Sequence, residues 1–251
     1  MKKAFLSDLR SALLFITILP AGKDVAWSPT GMIRFFPVVG LILGGLLVIT
    51  DLAVSQLWAP PVAAILDVFF LAAVTGAFHL DGLGDTADGM FSHRPRERAL
   101  EIMKDSRTGM MGLVAVVSVL ALKAAGIFSV KTSLSRELVL VMLLIVPAYA
   151  RASMIFGIRF LNYGRKDSGT GLDLFERPLG NKDFLFCLIP FFFSLFLGYR
   201  GLLLNFVFLA GLLVILTFYR RKMNCITGDM LGAMNEVMEA LLFMGAGALW
   251  R

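Results

Sequence analysis

Residues 35–54 run for twenty positions with a single charge, Asp51. About 20 apolar residues in helical form cross a ~30 Å hydrocarbon core, so this run by itself narrows the fold. Similar runs follow at 62–78, 110–130, 138–158, 184–197, 202–218 and 230–250. Hydrophobic residues make up 58% of the 251 and the mean hydropathy is +0.80, well above a soluble domain. A membrane barrel would show ~10-residue alternating segments, and none are present. The expectation is an all-α, polytopic helical membrane protein with about seven transmembrane helices, organised as a single integral membrane domain over 1–251.

Within the first run, Gly40, Gly44 and Gly45 form a strip of small residues suited to close helix packing. The N-terminus resembles a signal peptide, because Lys2 and Lys3 precede an apolar run at 11–20. However, Asp8 and Arg10 interrupt its approach, and 21–26 makes a poor cleavage site. Residues 4–20 therefore read as a short N-terminal interfacial or re-entrant helix kept in the mature protein. Cys187 and Cys225 form no spaced ligand set and read as small apolar filler.

Charge supplies the orientation. Alternation of seven spans puts 1–34, 80–108, 159–182 and 220–229 on one side, with 18 of the 24 Lys and Arg. The other side keeps Lys131, Arg136, Arg200 and Arg251. Basic excess marks the cytoplasmic face, so a multi-pass protein of the cytoplasmic (inner) membrane is expected, with its polar loops inside. The net charge of +6 is then a topological signature, and no nucleic-acid partner is expected.

The stretch 76–89, Gly-Ala-Phe-His-Leu-Asp-Gly-Leu-Gly-Asp-Thr-Ala-Asp-Gly, ends the second run. At ~100° per residue, Asp81, Asp85 and Asp88 fall within roughly 60° on one helix face. Like charges held so close call for a cation among them. Oxygen-only ligands suit a hard ion such as Mg²⁺ or Mn²⁺, which also grips substrate phosphates. Gly82, Gly84 and Gly89 would each cost up to ~1 kcal/mol in a purely structural helix, and they suit a backbone approached by a ligand. The bland alternative is a solvated loop in which Asp residues cap helices.

Other candidates surround this stretch. His79 is either a ligand, an acid–base group or a hydrogen-bonded structural residue. Lys104, Asp105 and Arg107 sit just before the third run, where Lys and Arg beside a metal suit a diphosphate. Arg94, Arg96 and Arg98 read more simply as cytoplasmic charge. Arg151 lies inside the fourth run, where a buried charge suggests function. Lys123 is near the outer end of its run and reads as snorkelling. In the last segment Asp229, Glu236 and Glu239 share one stripe within roughly 80°. Glu236 and Glu239 either complete the metal site or pair with Arg151 and the loop arginines. Asp229 is read as a ligand.

Residues 78–89, together with Glu101-Ile-Met-Lys-Asp-Ser-Arg107 and Thr227-Gly-Asp-Met-Leu-Gly-Ala233, strongly resemble the cobalamin synthase family of adenosylcobinamide-GDP ribazoletransferases. The likeness extends to Phe36-Pro-Val-Val-Gly-Leu and Phe15-Ile-Thr-Ile-Leu-Pro20, and so covers nearly the whole chain. It departs at Gly84, Met230 and Ile18, where the family commonly carries Ala, Thr and Arg. The resemblance implies a Mg²⁺-dependent (magnesium) membrane enzyme. Such an enzyme joins adenosylcobinamide-GDP to α-ribazole or its 5′-phosphate, with release of GMP. It implies that Asp81, Asp85, Asp88 and Asp229 hold metal. His79 or Asp85 would handle the proton, and Lys104, Asp105, Arg107, Arg151, Glu236 and Glu239 would contact substrate. It leaves room for a homo-oligomer and for association with other cobalamin-assembly enzymes. Two further classes fit the acidic pattern: a CDP-alcohol-phosphotransferase-like enzyme, and a cation transporter using intramembrane carboxylates. The phosphotransferase motif Asp-Gly-x-x-Ala-Arg is not matched, because no Arg stands in register before Asp88.

Overall fold

The computed structural model describes residues 2–23, 25–105, 107–165 and 171–249. The apolar runs become helices because lipid offers no partner for backbone N–H and C=O groups, and a helix satisfies them within one segment. In chain order the helices are α1 (Lys2–Ile16), α2 (Pro29–Met32), α3 (Phe36–Leu57), α4 (Pro60–Val74), α5 (Phe78–Met90) and α6 (Arg96–Ile102). They continue with α7 (Met110–Ser133), α8 (Arg136–Phe160), α9 (Leu188–Ser194), α10 (Tyr199–Lys222) and α11 (Gly228–Leu249). One isolated parallel bridge, Tyr163 to Ile226, is the only β pairing among the described residues.

Four helical segments are long and apolar enough to cross a membrane: Pro29–Leu57, which joins α2 to α3, then α7, α8 and α10. A fifth arises if α4 and α5 count together, although they are bent by 90°. The structure therefore bears out a multi-pass helical protein with fewer long apolar spans than the seven expected. Two segments account for the difference. Residues 184–197 fold as 3₁₀ turns around the seven-residue α9. The last segment does form a helix of 22 residues, but α11 carries three acids and lies enclosed by α5, α7, α8 and α10. α7 and α10 each present apolar side chains outward, including Leu113, Val117, Phe206 and Leu213, a surface suited to lipid tails.

Close packing rests on particular glycines. A Cβ on Gly40 would stand 2.5 Å from the Cα of Ala148, and one on Gly44 would collide with the Leu144 carbonyl. These two positions let α3 lie directly on α8, as their spacing predicted. Gly45 faces open space and takes no part. α1 has 15 residues, about 22 Å at 1.5 Å each, too short to cross. Its Asp8 accepts from Ser28 Oγ at 2.6 Å and pairs with Arg34 at 2.5 Å, which ties α1 to the start of the first long helix. Ile18, just beyond α1, is 67% exposed. Cys225 is buried and Cys187 half-buried, neither in a disulfide.

Between α4 and α5, Gly76 and Ala77 both adopt left-handed backbone, with φ of 61° and 57°. Two such residues in succession end α4 and turn the chain. Thr75 Oγ1 closes the exposed end by donating to the Leu71 and Ala72 carbonyls, both at 3.1 Å. The turn directs α5 away from the line of α4 and lays it against α11, and this contact builds the site.

Candidate active site

α5 is helical despite its glycines because the glycines are the surface on which it packs. A Cβ at Gly82 would stand 2.7 Å from the Asp229 carbonyl oxygen and 2.9 Å from its Cα. A Cβ at Gly232 would stand 3.2 Å from the His79 backbone. Small residues on both helices thus bring Asp229 to the acidic face of α5. Two stretches nearly 150 residues apart in the chain meet at one place.

Asp229 occupies the first turn of α11. Thr227 caps that turn by accepting from the Met230 N–H at 3.2 Å. The preceding strand of chain is pinned by Ile226 N–H to the Asn162 carbonyl and Gly164 N–H to the Ile226 carbonyl, both 2.9 Å. That pairing fixes Arg165 beside Asp229, with Nη2 to Oδ2 at 2.5 Å. Arg165 also donates to the Met103 carbonyl at 3.2 Å, joining the loop between α6 and α7 to the site.

The four expected metal ligands have different surroundings. Asp81 is exposed and Asp85 half-buried, and neither makes a hydrogen bond or ion pair among the described residues. Asp85 feels the negative charges of Asp81, Asp229 and Asp88, with Arg165 as the opposing positive charge. Asp229 shares its carboxylate with Arg165. Asp88 is engaged as a cap. Its two oxygens accept from Gly109 N–H at 2.6 Å and Gly112 N–H at 2.8 Å, at the start of α7. A carboxylate there satisfies orphan donors and complements the helix dipole, a structural role that its remaining lone pairs leave compatible with a cation.

A divalent cation fits what remains. The donors are oxygen-only and crowded, and Asp81 and Asp85 make no ion pair among the described residues. Among the described residues no three His, Cys, Asp or Glu side chains form a ready-made metal cage. Mg²⁺ seldom uses such a cage, taking one or two carboxylates and completing its shell with water and substrate phosphates.

The remaining expected residues divide into two groups. Lys104, Asp105 and Arg107 lie on the loop before α7, beside the Asp88 cap. Arg107 holds Asp105 through hydrogen bonds from Nη2 at 2.6 Å and Nε at 3.0 Å, and this pushes the Asp105 carboxyl down to about 2. Arg107 stays largely exposed, with its side chain 87% accessible. His79, Arg151, Glu236 and Glu239 are enclosed in the bundle. His79 is wholly buried, its Nδ1 3.2 Å from Asn235 Nδ2, while Nε2 has no partner among the described residues. Complete burial gives it a packing and hydrogen-bonding position behind the exposed carboxylates.

Lys123, Arg151, Glu236 and Glu239 are each at most 4% exposed. Lys123 donates to Glu236 at 2.5 Å and to Glu239 at 2.6 Å, and Glu239 also pairs with Arg151. Asn235 donates to Glu236 at 3.2 Å, so the chain of contacts reaches His79. Two cations and two carboxylates balance. Pairing, the second alternative read from the sequence, describes how Glu236, Glu239 and Arg151 stand in this structure, buried together with Lys123. Lys123 is an integral member rather than a snorkelling residue.

Sequence reasoning missed Arg165. It counted there only as one of the basic residues of 159–182, and no spacing rule marks it. What the structure defines is a polytopic helical membrane protein with a cluster of carboxylates beside an arginine, where α5 meets the start of α11. Carboxylates that can hold a hard cation beside a fixed guanidinium suit phosphoryl chemistry.

Comparison with known proteins gives the particular family. Residues 8–247 match the cobalamin-5-phosphate synthase model, and the chain belongs to that enzyme family. It is 36% identical over 260 residues to the adenosylcobinamide-GDP ribazoletransferase of Clostridium novyi, covering 97% of this chain and 100% of the relative. The enzyme of the same name from Caldanaerobacter subterraneus subsp. tengcongensis is 36% identical over 216 residues, 84% of each chain. That from Alkaliphilus metalliredigens is 35% identical over 246 residues, covering 94% and 96%. No solved structure matches. The family assignment takes the place of the transporter and CDP-alcohol-phosphotransferase alternatives.

Proposed function

We propose that the chain transfers the adenosylcobinamide phosphate group from adenosylcobinamide-GDP to a ribose hydroxyl of α-ribazole or its 5′-phosphate, releasing GMP. The observation that carries this reading is the meeting of Asp81 and Asp85 with Asp229 and Arg165, in a chain whose relatives bear the ribazoletransferase name. In the step, the hydroxyl oxygen forms a bond to the phosphorus attached to cobinamide. The phosphorus–oxygen bond to GMP breaks, and GMP leaves with the electron pair. The hydroxyl proton passes to a carboxylate oxygen of Asp85 or Asp81 that a cation would leave unengaged.

Arg165, held by Asp229 and the Met103 carbonyl, presents a pre-positioned positive charge to the diphosphate. Lys104 and Arg107, on the neighbouring loop, add charge that draws in an anionic donor. Asp81 and Asp85 are the residues that would hold Mg²⁺. When bound, the ion would neutralise charge developing on the phosphate oxygens. Basic-residue asymmetry supports placing this site at the cytoplasmic face of the inner membrane, where soluble substrates arrive.

The test is GMP release from adenosylcobinamide-GDP by purified protein, with α-ribazole and Mg²⁺ each present or absent. Release that requires both is the expected result. GMP release without acceptor, or none under any condition, contradicts the proposal.

A further inference from the structure

The loop that supplies Arg165 also walls a cavity of about 530 Å³, lined in part by Arg159, Asn162, Tyr163, Phe175 and Arg177. That volume lies in the ~300–1,000 Å³ range of small-molecule sites. Tyr163 and Phe175 stand with ring centroids 5.1 Å apart and planes 40° apart, forming an aromatic wall. The Tyr163 backbone is fixed by its bridge to Ile226. Arg177 is committed elsewhere, donating to both oxygens of Asp183 at 2.8 and 2.9 Å.

The other two arginines are placed differently. Arg165 has its side chain only 10% exposed, and its Nε has no hydrogen-bond partner among the described residues. A nine-tenths-buried guanidinium with an unused donor, one edge on Asp229 and the body in the cavity wall, is an anion-binding group in waiting. Arg159 ends α8 exposed, its guanidinium 5.9 Å from the Phe160 ring, with no ion pair among the described residues. Asn162 adds an exposed amide, both donor and acceptor.

We infer that this cavity binds a nucleoside monophosphate group, its flat base against Tyr163 and Phe175 and its phosphate toward Arg159 and Arg165. The inference rests on the proposed reaction, which contains two groups of that chemistry: the GMP half of the donor and the phosphorylated form of the acceptor. Arg165 belongs to both the cavity and the acidic cluster. A phosphate held in the one therefore borders the carboxylates of the other, where transfer takes place.

Equilibrium binding of GMP, and separately of α-ribazole 5′-phosphate, to the purified full chain in detergent tests this. The variants are Arg159→Gln and Asn162→Ala, with Arg221→Gln as an exposed arginine outside the cavity. The expected result is a roughly tenfold loss of affinity for one probe in both cavity variants, with Arg221→Gln unchanged. The probe affected identifies the occupant. Unchanged affinity for both probes, an equal loss in Arg221→Gln, or no binding to the wild-type chain at millimolar concentration overturns the inference. Binding is read without turnover. A chain that binds GMP here yet releases none from the donor upholds the cavity and contradicts the reaction. Intact transfer with unaltered binding does the reverse.

Discussion

Replacing Glu239 with Gln leaves two buried cations facing one carboxylate. In the native bundle Glu239 touches Lys123 at 2.6 Å and pairs with Arg151, while Glu236 reaches Lys123 alone. Gln keeps the shape and removes the charge, so Arg151 loses its only carboxylate among the described residues. Breaking a buried pair by deleting one partner costs about 3–5 kcal/mol, because the remaining charge is stranded away from water. Removing Arg151 and Glu239 together, as Arg151→Met/Glu239→Met, leaves Lys123 and Glu236 balanced. The double change should therefore cost less than Glu239→Gln alone, with a large favourable coupling in the mutant cycle. Equilibrium unfolding in detergent, followed by helicity, measures Glu239→Gln, the double variant and the single variants Arg151→Met and Glu239→Met. A Glu239→Gln variant within ~1 kcal/mol of wild type, or a double variant as unstable as the sum of its singles, would refute the buried-pair account. Loss of activity without loss of stability would restore Glu239 to the substrate site.

Further consequences follow from the acidic site and its loops. Asp88→Ala removes the acceptor for two N–H groups at the start of α7 and should cost about 1–2 kcal/mol, with Asp88→Asn milder, in the same unfolding assay. Gly82→Val drives a side chain into the Asp229 backbone and should lower transfer at least tenfold with helicity retained, since small misplacements at a reacting centre are costly. Asp105 has a folded value of about 2 against an ordinary 3.8, so its contribution is full above about pH 4 and is lost as pH falls through about 2. Limited proteolysis of the loop at 103–109 should therefore be constant from pH 8 to 5 and rise only in strong acid. A change between pH 8 and 5 contradicts the Arg107 pairing.

Much of this was legible where the physics is local. The helical period put Asp81, Asp85 and Asp88 on one face, and the strip of Gly40, Gly44 and Gly45 marked a closely packed helix without naming its partner, α8, or showing that Gly45 stands aside. What stayed hidden depended on partners distant in the chain. Asp88 shares the spacing of Asp85, yet its oxygens serve the N-terminus of a helix that begins 22 residues later. That His79 is enclosed depends on α11, whose Asn235 meets its ring. Hydropathy told that 110–130 was apolar but not which face Lys123 occupied, and so not that it meets Glu236 and Glu239. The same pairing explains α11, whose Glu236 and Glu239 are tolerable because Lys123 of α7 and Arg151 of α8 neutralise them. Residues 184–197 counted as a span by composition, but the segment winds as 3₁₀ turns around a short α9. Arg165 was invisible because its position is set by the Tyr163–Ile226 bridge, a contact between two loops.

The central claim is that the carboxylates of α5, meeting Asp229 and Arg165, carry the transfer. Its most direct measurement is single-turnover GMP release by Asp85→Asn, with folding checked by unfolding midpoint and donor binding measured separately. The account predicts a loss of at least ~10²-fold in rate, with the fold and donor binding retained, and a weakened response to Mg²⁺. Wild-type rate with unchanged Mg²⁺ dependence contradicts it.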